Sequence, residues 1–262
     1  MKVFINSDLE GVAGVVSFPD QAYSDGKHHE HAKRLLTDEV NAAVTGLLEA
    51  GAQDVVVLDG HGPGGVCFER IHPSVKLIHG RPLALSWRDE LSGCAAAIFV
   101  GQHAMAGSAH ATLNHTQNSR ANDHIKLNGR LIGEIGQFAL LCGSHDVPVL
   151  FLSGDEAACV EVEALIPGVV TAAVKRGLSR TSAISVSAPA AHNMIREATR
   201  RAMLQHREKP IEPLRWDPPY VLEKRYFTTD LVERYREVKN ARLIDSQTVQ
   251  LTSDSIRDIL YA

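Results

Sequence analysis

The sequence predicts an α/β fold, a mostly parallel layered sheet with helices on both faces and a smaller β-rich C-terminal segment. Three observations predict it. Short, nearly continuous apolar runs recur along the chain, stretches of helical period separate them, and a proline-dense stretch sets the end of the chain apart. Continuous apolar runs suit strands covered on both faces, whereas strands with one wet face alternate apolar and polar residues.

In chain order, residues 2–6 (KVFIN) form the first predicted strand. Residues 30–50 follow as a helix, with Leu35, Leu36, Val40, Ala43, Val44, Leu47 and Leu48 on an i, i+3/i+4 stripe that stops at Gly51. Residues 54–58 (DVVVL) and 96–100 are the next strands. IKLNGRLIG, residues 125–133, sets Asn-Gly between two alternating runs and predicts a two-residue hairpin, with a helix over 133–141. Strand 148–152 (PVLFL), helix 156–165, strand 169–174 (VVTAAV) and helix 190–205 complete the layer. The stretch 210–219, PIEPLRWDPP, carries four prolines and marks a boundary. Residues 1–209 are thus expected to form the catalytic α/β domain. Residues 210–262 are expected to be an α+β appendage packed on the core and involved in oligomerisation.

A chain of 262 residues with 44% hydrophobic content can bury a substantial core. Its net charge of -4 is spread along the chain, so neither a nucleic-acid partner nor an acidic tail is expected. The N-terminus lacks the apolar run and cleavage site of a signal peptide, and no window reaches the roughly 18 apolar residues of a membrane span. The expectation is a cytoplasmic protein without membrane contact. Cys67, Cys94, Cys142 and Cys159 are scattered and lack C-x-x-C spacing, so they read as reduced packing residues.

Thirteen histidines against 7 Phe and 5 Tyr invite a metal or acid–base reading. His28, His29 and His31, at the polar start of the first helix, are expected to be solvated. In open α/β sheets, ligands collect beyond the carboxyl ends of the strands. The first strand ends in Ser7-Asp8-Leu9-Glu10-Gly11, the second in Asp59-Gly60-His61-Gly62, and the third in Gly101-Gln102-His103-Ala104. A lone Asp after a strand is more often a cap or turn residue. Two acids and two histidines at three strand ends, beside glycines that let backbone approach closely, point instead to a shared metal task. This donor set suits Zn²⁺, with Mn²⁺ or Co²⁺ as alternatives, and the lack of a nearby Cys argues against a structural zinc knot. HGPGG (residues 61–65) lacks the spacing and lysine of a phosphate loop, and neither G-x-S-x-G nor H-E-x-x-H occurs.

Over nearly its whole length the sequence resembles the D-aminopeptidase family of dinuclear zinc peptidases. The segments that carry the resemblance are SDLEGVAGV, the D-G-H after the second strand, GQHAMAG, LNHT, NGRLIGEIG, HDVPVLFLSGDEAA, LIPGVVTAAVKRGLSR and TVQLTSDSIRDIL. It implies Asp8, Glu10, His61, His103 and Glu134 as metal ligands, adding Glu134 to the strand-end set, and His115 of LNHT as the catalytic histidine. Five donors exceed one tetrahedral ion and suit two ions sharing a carboxylate, for which Asp8 is the choice. Such a pair can polarise a scissile carbonyl and activate a bridging water. The resemblance further implies an aminopeptidase or amidase acting on short peptides, including those with an N-terminal D-residue, and a homo-oligomer built as a decameric ring. Gly60 departs from the family's hydroxyl residue, Gln102 from a position that is often aromatic, and the loop QNSRANDHIK is unusually polar. A dinuclear phosphoesterase is the alternative from another reaction class, although the strand-end loops offer no Arg or Lys; a catalytically inactive metal-binding subunit is the third.

Overall fold

The computed structural model describes residues 1–261. Along the chain it runs β1 (Lys2–Ser7), α1 (His29–Glu49), β2 (Asp54–Asp59), β3 (Val75–Ile78), β4 (Ala96–Gln102), the hairpin β5 (Asn122–Leu127) and β6 (Arg130–Leu131), then α2 (Glu134–Gly143). There follow β7 (Val149–Asp155), α3 (Glu156–Leu165), β8 (Val170–Ser179), β9 (Ser182–Ser185), α4 (Ala188–Glu208), β10 (Tyr220–Tyr226), α5 (Asp230–Glu233), β11 (Ala241–Leu243), β12 (Thr248–Ser253) and α6 (Ile256–Ile259).

The five apolar runs form the interior of a seven-stranded sheet ordered β3-β2-β1-β4-β7-β8-β9, parallel except at the β8–β9 edge. The expected α/β layering is therefore present. β1 lies at the point where the chain, having built outward through β2 and β3, returns to place β4 on the other side. Such a reversal splays the connecting loops apart and leaves a crevice at the carboxyl ends of the strands.

Both faces of the sheet are covered, and this is why its runs are continuous. Val3, Ile5, Ile98 and Val100 pack with Leu36, Val40 and Leu47 of α1 and Ile195 and Met203 of α4. Phe4 and Phe99 point the other way, onto Phe138 of α2, with ring centroids 5.8 and 5.2 Å apart. Each fully buried large apolar side chain contributes about 1.5–3 kcal/mol of transfer free energy. The same face receives Leu222 and Leu251 from a second, antiparallel sheet ordered β11-β12-β10-β5-β6. The C-terminal strands thus share a sheet with the hairpin at 122–131. Its turn, Asn128-Gly129, has φ of 51° and 76°, the mirror-image turn that Asn-Gly favours.

β3 and β9 are additions to the expected strands; both are only partly covered and carry no continuous apolar run. All four cysteines are free and buried, as packing residues should be. One expectation is corrected: His29 is buried rather than solvated, because its Nδ1 donates to the Gln21 carbonyl at 2.9 Å beneath the loop that leads into α1. Among the described residues no helix is long and apolar enough to cross a membrane.

Candidate metal centre

The loops after β1 and β4 are pressed together at the crevice. Asp8 N–H donates to Val100 O at 2.9 Å and Gly11 N–H to Gly101 O at 2.7 Å. Gly101 sits at φ +74°, and a Cβ there would lie 2.1 Å from the Asp8 carbonyl oxygen. Only glycine meets both demands. Gly60 answers to the same crowding, since its Cβ would fall 2.6 Å from Asn6 Oδ1. Behind the loop, the buried Lys175 of β8 donates to the carbonyls of Glu10 and Val15, the latter at 2.6 Å. Glu39 of α1 accepts from Ala13 N at 2.9 Å. The segment carrying Asp8 and Glu10 is held from both sides.

The structure brings the five expected donors together. His61 Nδ1 lies 2.9 Å from Glu10 Oε2 and 3.3 Å from Asp8 Oδ1. His103 Nε2 lies 3.2 Å from Asp8 Oδ2 and 3.4 Å from Glu134 Oε1. The two oxygens of Asp8 therefore face different histidines. Glu134 opens α2, where an acid is favoured by the helix dipole, and accepts from Gln117 N at 2.7 Å. His115 completes the group, stacked on His103 with centroids 4.0 Å apart and with Nε2 3.8 Å from Glu134 Oε1.

Each histidine commits its other ring nitrogen to a backbone carbonyl: His61 Nε2 to Ala22 at 2.7 Å, His103 Nδ1 to Ala104 at 2.9 Å, and His115 Nδ1 to Leu113 at 3.0 Å. A carbonyl only accepts, so those nitrogens carry the proton and the inward ones present lone pairs to the carboxylates. His103 Nε2 and Glu10 Oε2 are buried with no aligned hydrogen-bond partner among the described residues. Lone pairs turned on one another at this range ask for a cation between them, and the donor chemistry fits a divalent metal. Asp8, Glu10 and His103 form one close cluster of donor atoms, and His103, His115 and Glu134 another.

Protons and a metal ion compete for the inward nitrogens, because the surrounding carboxylates favour positive charge of either kind there. Burial pushes the Asp8 carboxyl up, but the adjoining His103 and His61 outweigh it and hold it well below the usual carboxylate range. Burial likewise opposes charge on His61 and His103, yet Glu10, Asp8 and Glu134 drive both well above an ordinary histidine. Glu134 is lowered against its burial by His103. His115 differs: burial, reinforced by His103, pushes it down, leaving a neutral imidazole beside the cluster.

A cavity of about 560 Å³ opens on Asp8, Glu10, His61, His115 and Glu134. Its lining also holds residues that sequence reasoning missed: Tyr23, Ser119, Arg120, Lys224 and Tyr261. Lys224 sits on the inward side of alternating β10, where a strand pattern marks an apolar position. Arg120 lies in the polar loop after His115. Gln102 donates to Asp8 Oδ2 at 3.3 Å, which gives its departure from an aromatic residue a structural meaning.

A doubly wound sheet whose strand ends gather acids and histidines around a cavity defines a metal-dependent hydrolase, here of the peptide-cleaving class. The family model for D-aminopeptidase matches residues 1–262. The chain belongs to the D-aminopeptidase family. The D-aminopeptidase of Bacillus subtilis (strain 168) is 34% identical over 218 residues, or 82% of this chain and 77% of that protein. The solved structure of the Zn-dependent D-aminopeptidase DppA from Bacillus subtilis, a self-compartmentalizing protease, matches with a TM-score of 0.90 and 29% identity. The match covers 98% of this chain and 93% of that one. Peptide hydrolysis is thereby favoured over the phosphoesterase alternative.

Proposed function

We propose that this chain is a dinuclear zinc D-aminopeptidase, in which Asp8, Glu10, His61, His103 and Glu134 hold two ions and His115 is the catalytic histidine. The observation that carries this reading is the division of the Asp8 oxygens between His61 and His103, the disposition of a bridging carboxylate. When bound, the ions supply Lewis acidity toward the scissile carbonyl and toward water. Zn²⁺ is proposed from the donor set and from the Zn-dependent relative; Mn²⁺ and Co²⁺ are the alternatives.

The protein's own groups do the rest. With its Nδ1–H fixed on Leu113 O, His115 presents Nε2 to the cavity, where it takes a proton from the attacking water and hands it to the departing amine nitrogen. Glu10 and Glu134 offer carboxylate oxygens to the substrate's free α-ammonium group. A self-compartmentalizing relative supports a ring-shaped homo-oligomer, for which a decamer is proposed. The segment 210–262 is its suggested contact-forming appendage, and a cytoplasmic setting remains the reading.

The test is an assay of zinc-loaded protein on D-alanine and L-alanine amides and dipeptides, with an aryl phosphate as control. Turnover with preference for the D-series is expected. Absence of turnover on every amide and peptide sinks the proposal, and hydrolysis of the phosphate alone would replace it.

A further inference from the structure

The cavity beside His115 is lined by groups of both charges. Its lining includes the acidic donors and Arg120, whose guanidinium lies 3.7 Å over the Tyr23 ring. Tyr23 stacks on Phe18 at 5.6 Å and Phe18 meets His115 edge-on at 5.4 Å. Arg180, at the β8–β9 turn, lies 4.9 Å over the opposite member of this aromatic pair, Phe18, and with Arg120 and His115 lines an adjoining cavity of about 490 Å³. Two guanidinium groups are thus laid on two stacked rings that run up to His115.

These arginines differ from those the chain pairs with its own acids. Arg70, Arg196, Arg215, Arg225 and Arg236 are paired with carboxylates. Among the described residues the Arg120 side chain has no hydrogen-bond or ion-pair partner, and Arg180 gives only its Nε, to Asn114 O at 3.3 Å. Their terminal N–H groups are uncommitted, while the aromatic faces fix the planes. Asp123, the carboxylate in the adjoining cavity, is already engaged by Arg225 at 3.3 Å. A planar, unpaired guanidinium edge is a carboxylate receptor, able to bind two oxygens at once.

Resting on the peptidase reading, we propose that Arg120 and Arg180 form a carboxylate subsite that anchors the C-terminal end of a short, unblocked peptide whose N-terminal amine lies among the acidic donors. The substrate class is then the zwitterionic short peptide, free at both ends, and long or C-terminally blocked chains are selected against.

The experiment compares D-alanyl-D-alanine with its C-terminal amide on zinc-loaded wild type, Arg120→Met, Arg180→Met and Arg120→Lys, with zinc content and thermal melting recorded for each. Wild type is expected to favour the free acid through a lower KM. Each Met variant should shrink that acid-over-amide ratio by roughly ten- to hundredfold through KM, the effect of losing a charge-assisted hydrogen bond, and Arg120→Lys should restore part of it. Equal KM for acid and amide in the wild type, or Met variants that slow both substrates by one factor, overturns the subsite while leaving the peptidase intact. A zinc-loaded wild type that cleaves neither substrate overturns the peptidase reading itself.

Discussion

At the scale of single residues, the site is governed by what holds each side chain from behind. His115 illustrates the point, because its Nε2 is near enough to Glu134 for either a proton-transfer or a ligand role. Replacing it with Ala should leave metal content unchanged by elemental analysis while turnover falls by about 10²- to 10⁴-fold; loss of one ion would reassign it as a ligand. Lys175 supports the Glu10 and Val15 carbonyls from inside the fold, and Lys175→Met should lower the free energy of unfolding in urea by about 3 kcal/mol. An unchanged midpoint would mean that water takes over both acceptors. Glu39 gives a pH dependence. Burial raises its carboxyl from 4.5 to about 7, against the pull of the Ala13 amide and Lys175. Between those values the folded chain keeps a proton that the unfolded chain has released, so the Glu39 contribution to stability falls as pH rises through this window. Glu39→Gln should gain on the wild type across it, and parallel stability curves would refute the assignment. Asp8, Glu10, His61 and His103 were legible in the sequence because strand ends are marked positions. Glu134 and His115 were legible only through resemblance, as nothing local separates them from a helix-start acid and a loop histidine. Arg120, Arg180 and Lys224 escaped notice for a physical reason: a polar loop has no period, and an inward lysine breaks the only period a strand has.

At the scale of elements, the apposition of the β1 and β4 ends decides whether the donors meet. Gly101 and Gly93 make a matched pair, at φ +74° and +73°, but a Cβ on Gly93 meets nothing within 4 Å. Both Ala substitutions carry the left-handed strain of about 1–2 kcal/mol, and Gly101→Ala should lose about 1–3 kcal/mol more from overpacking against Asp8. Equal destabilisation of the two in thermal melts would show that the loop yields without cost. The inner strands were readable because coverage on both faces leaves an unbroken apolar run. β3 and β9, half-covered edge strands, leave none. The β5–β6 hairpin was readable from Asn-Gly alone, yet its place in the second sheet was not, because the partner of β5 is β10 and nothing in residues 122–131 names it.

At the scale of the whole molecule, five donors from three strand ends and one helix start converge on a site that no single element contains. A metal pair bound only by the folded chain should therefore stabilise all of it, by about 4 kcal/mol for each ion at a thousandfold excess over its Kd. Chelation followed by differential scanning calorimetry should lower the melting temperature, and zinc should restore it; insensitivity to both would place the ions outside this cluster. The proposed ring is checked by light scattering, where a particle smaller than ten chains would revise the decamer. The joint sheet also has a consequence for synthesis. On the ribosome, β5 is made long before the β10 strand that pairs its Asn122–Leu127 backbone. Until residues 220–226 emerge, that edge offers open hydrogen-bonding groups to any neighbouring nascent chain, and the Lys224 wall of the cavity does not exist. The cavity thus stays incomplete until β10 has emerged, well after every proposed metal donor has been made, and the open β5 edge is exposed to misassembly throughout that interval.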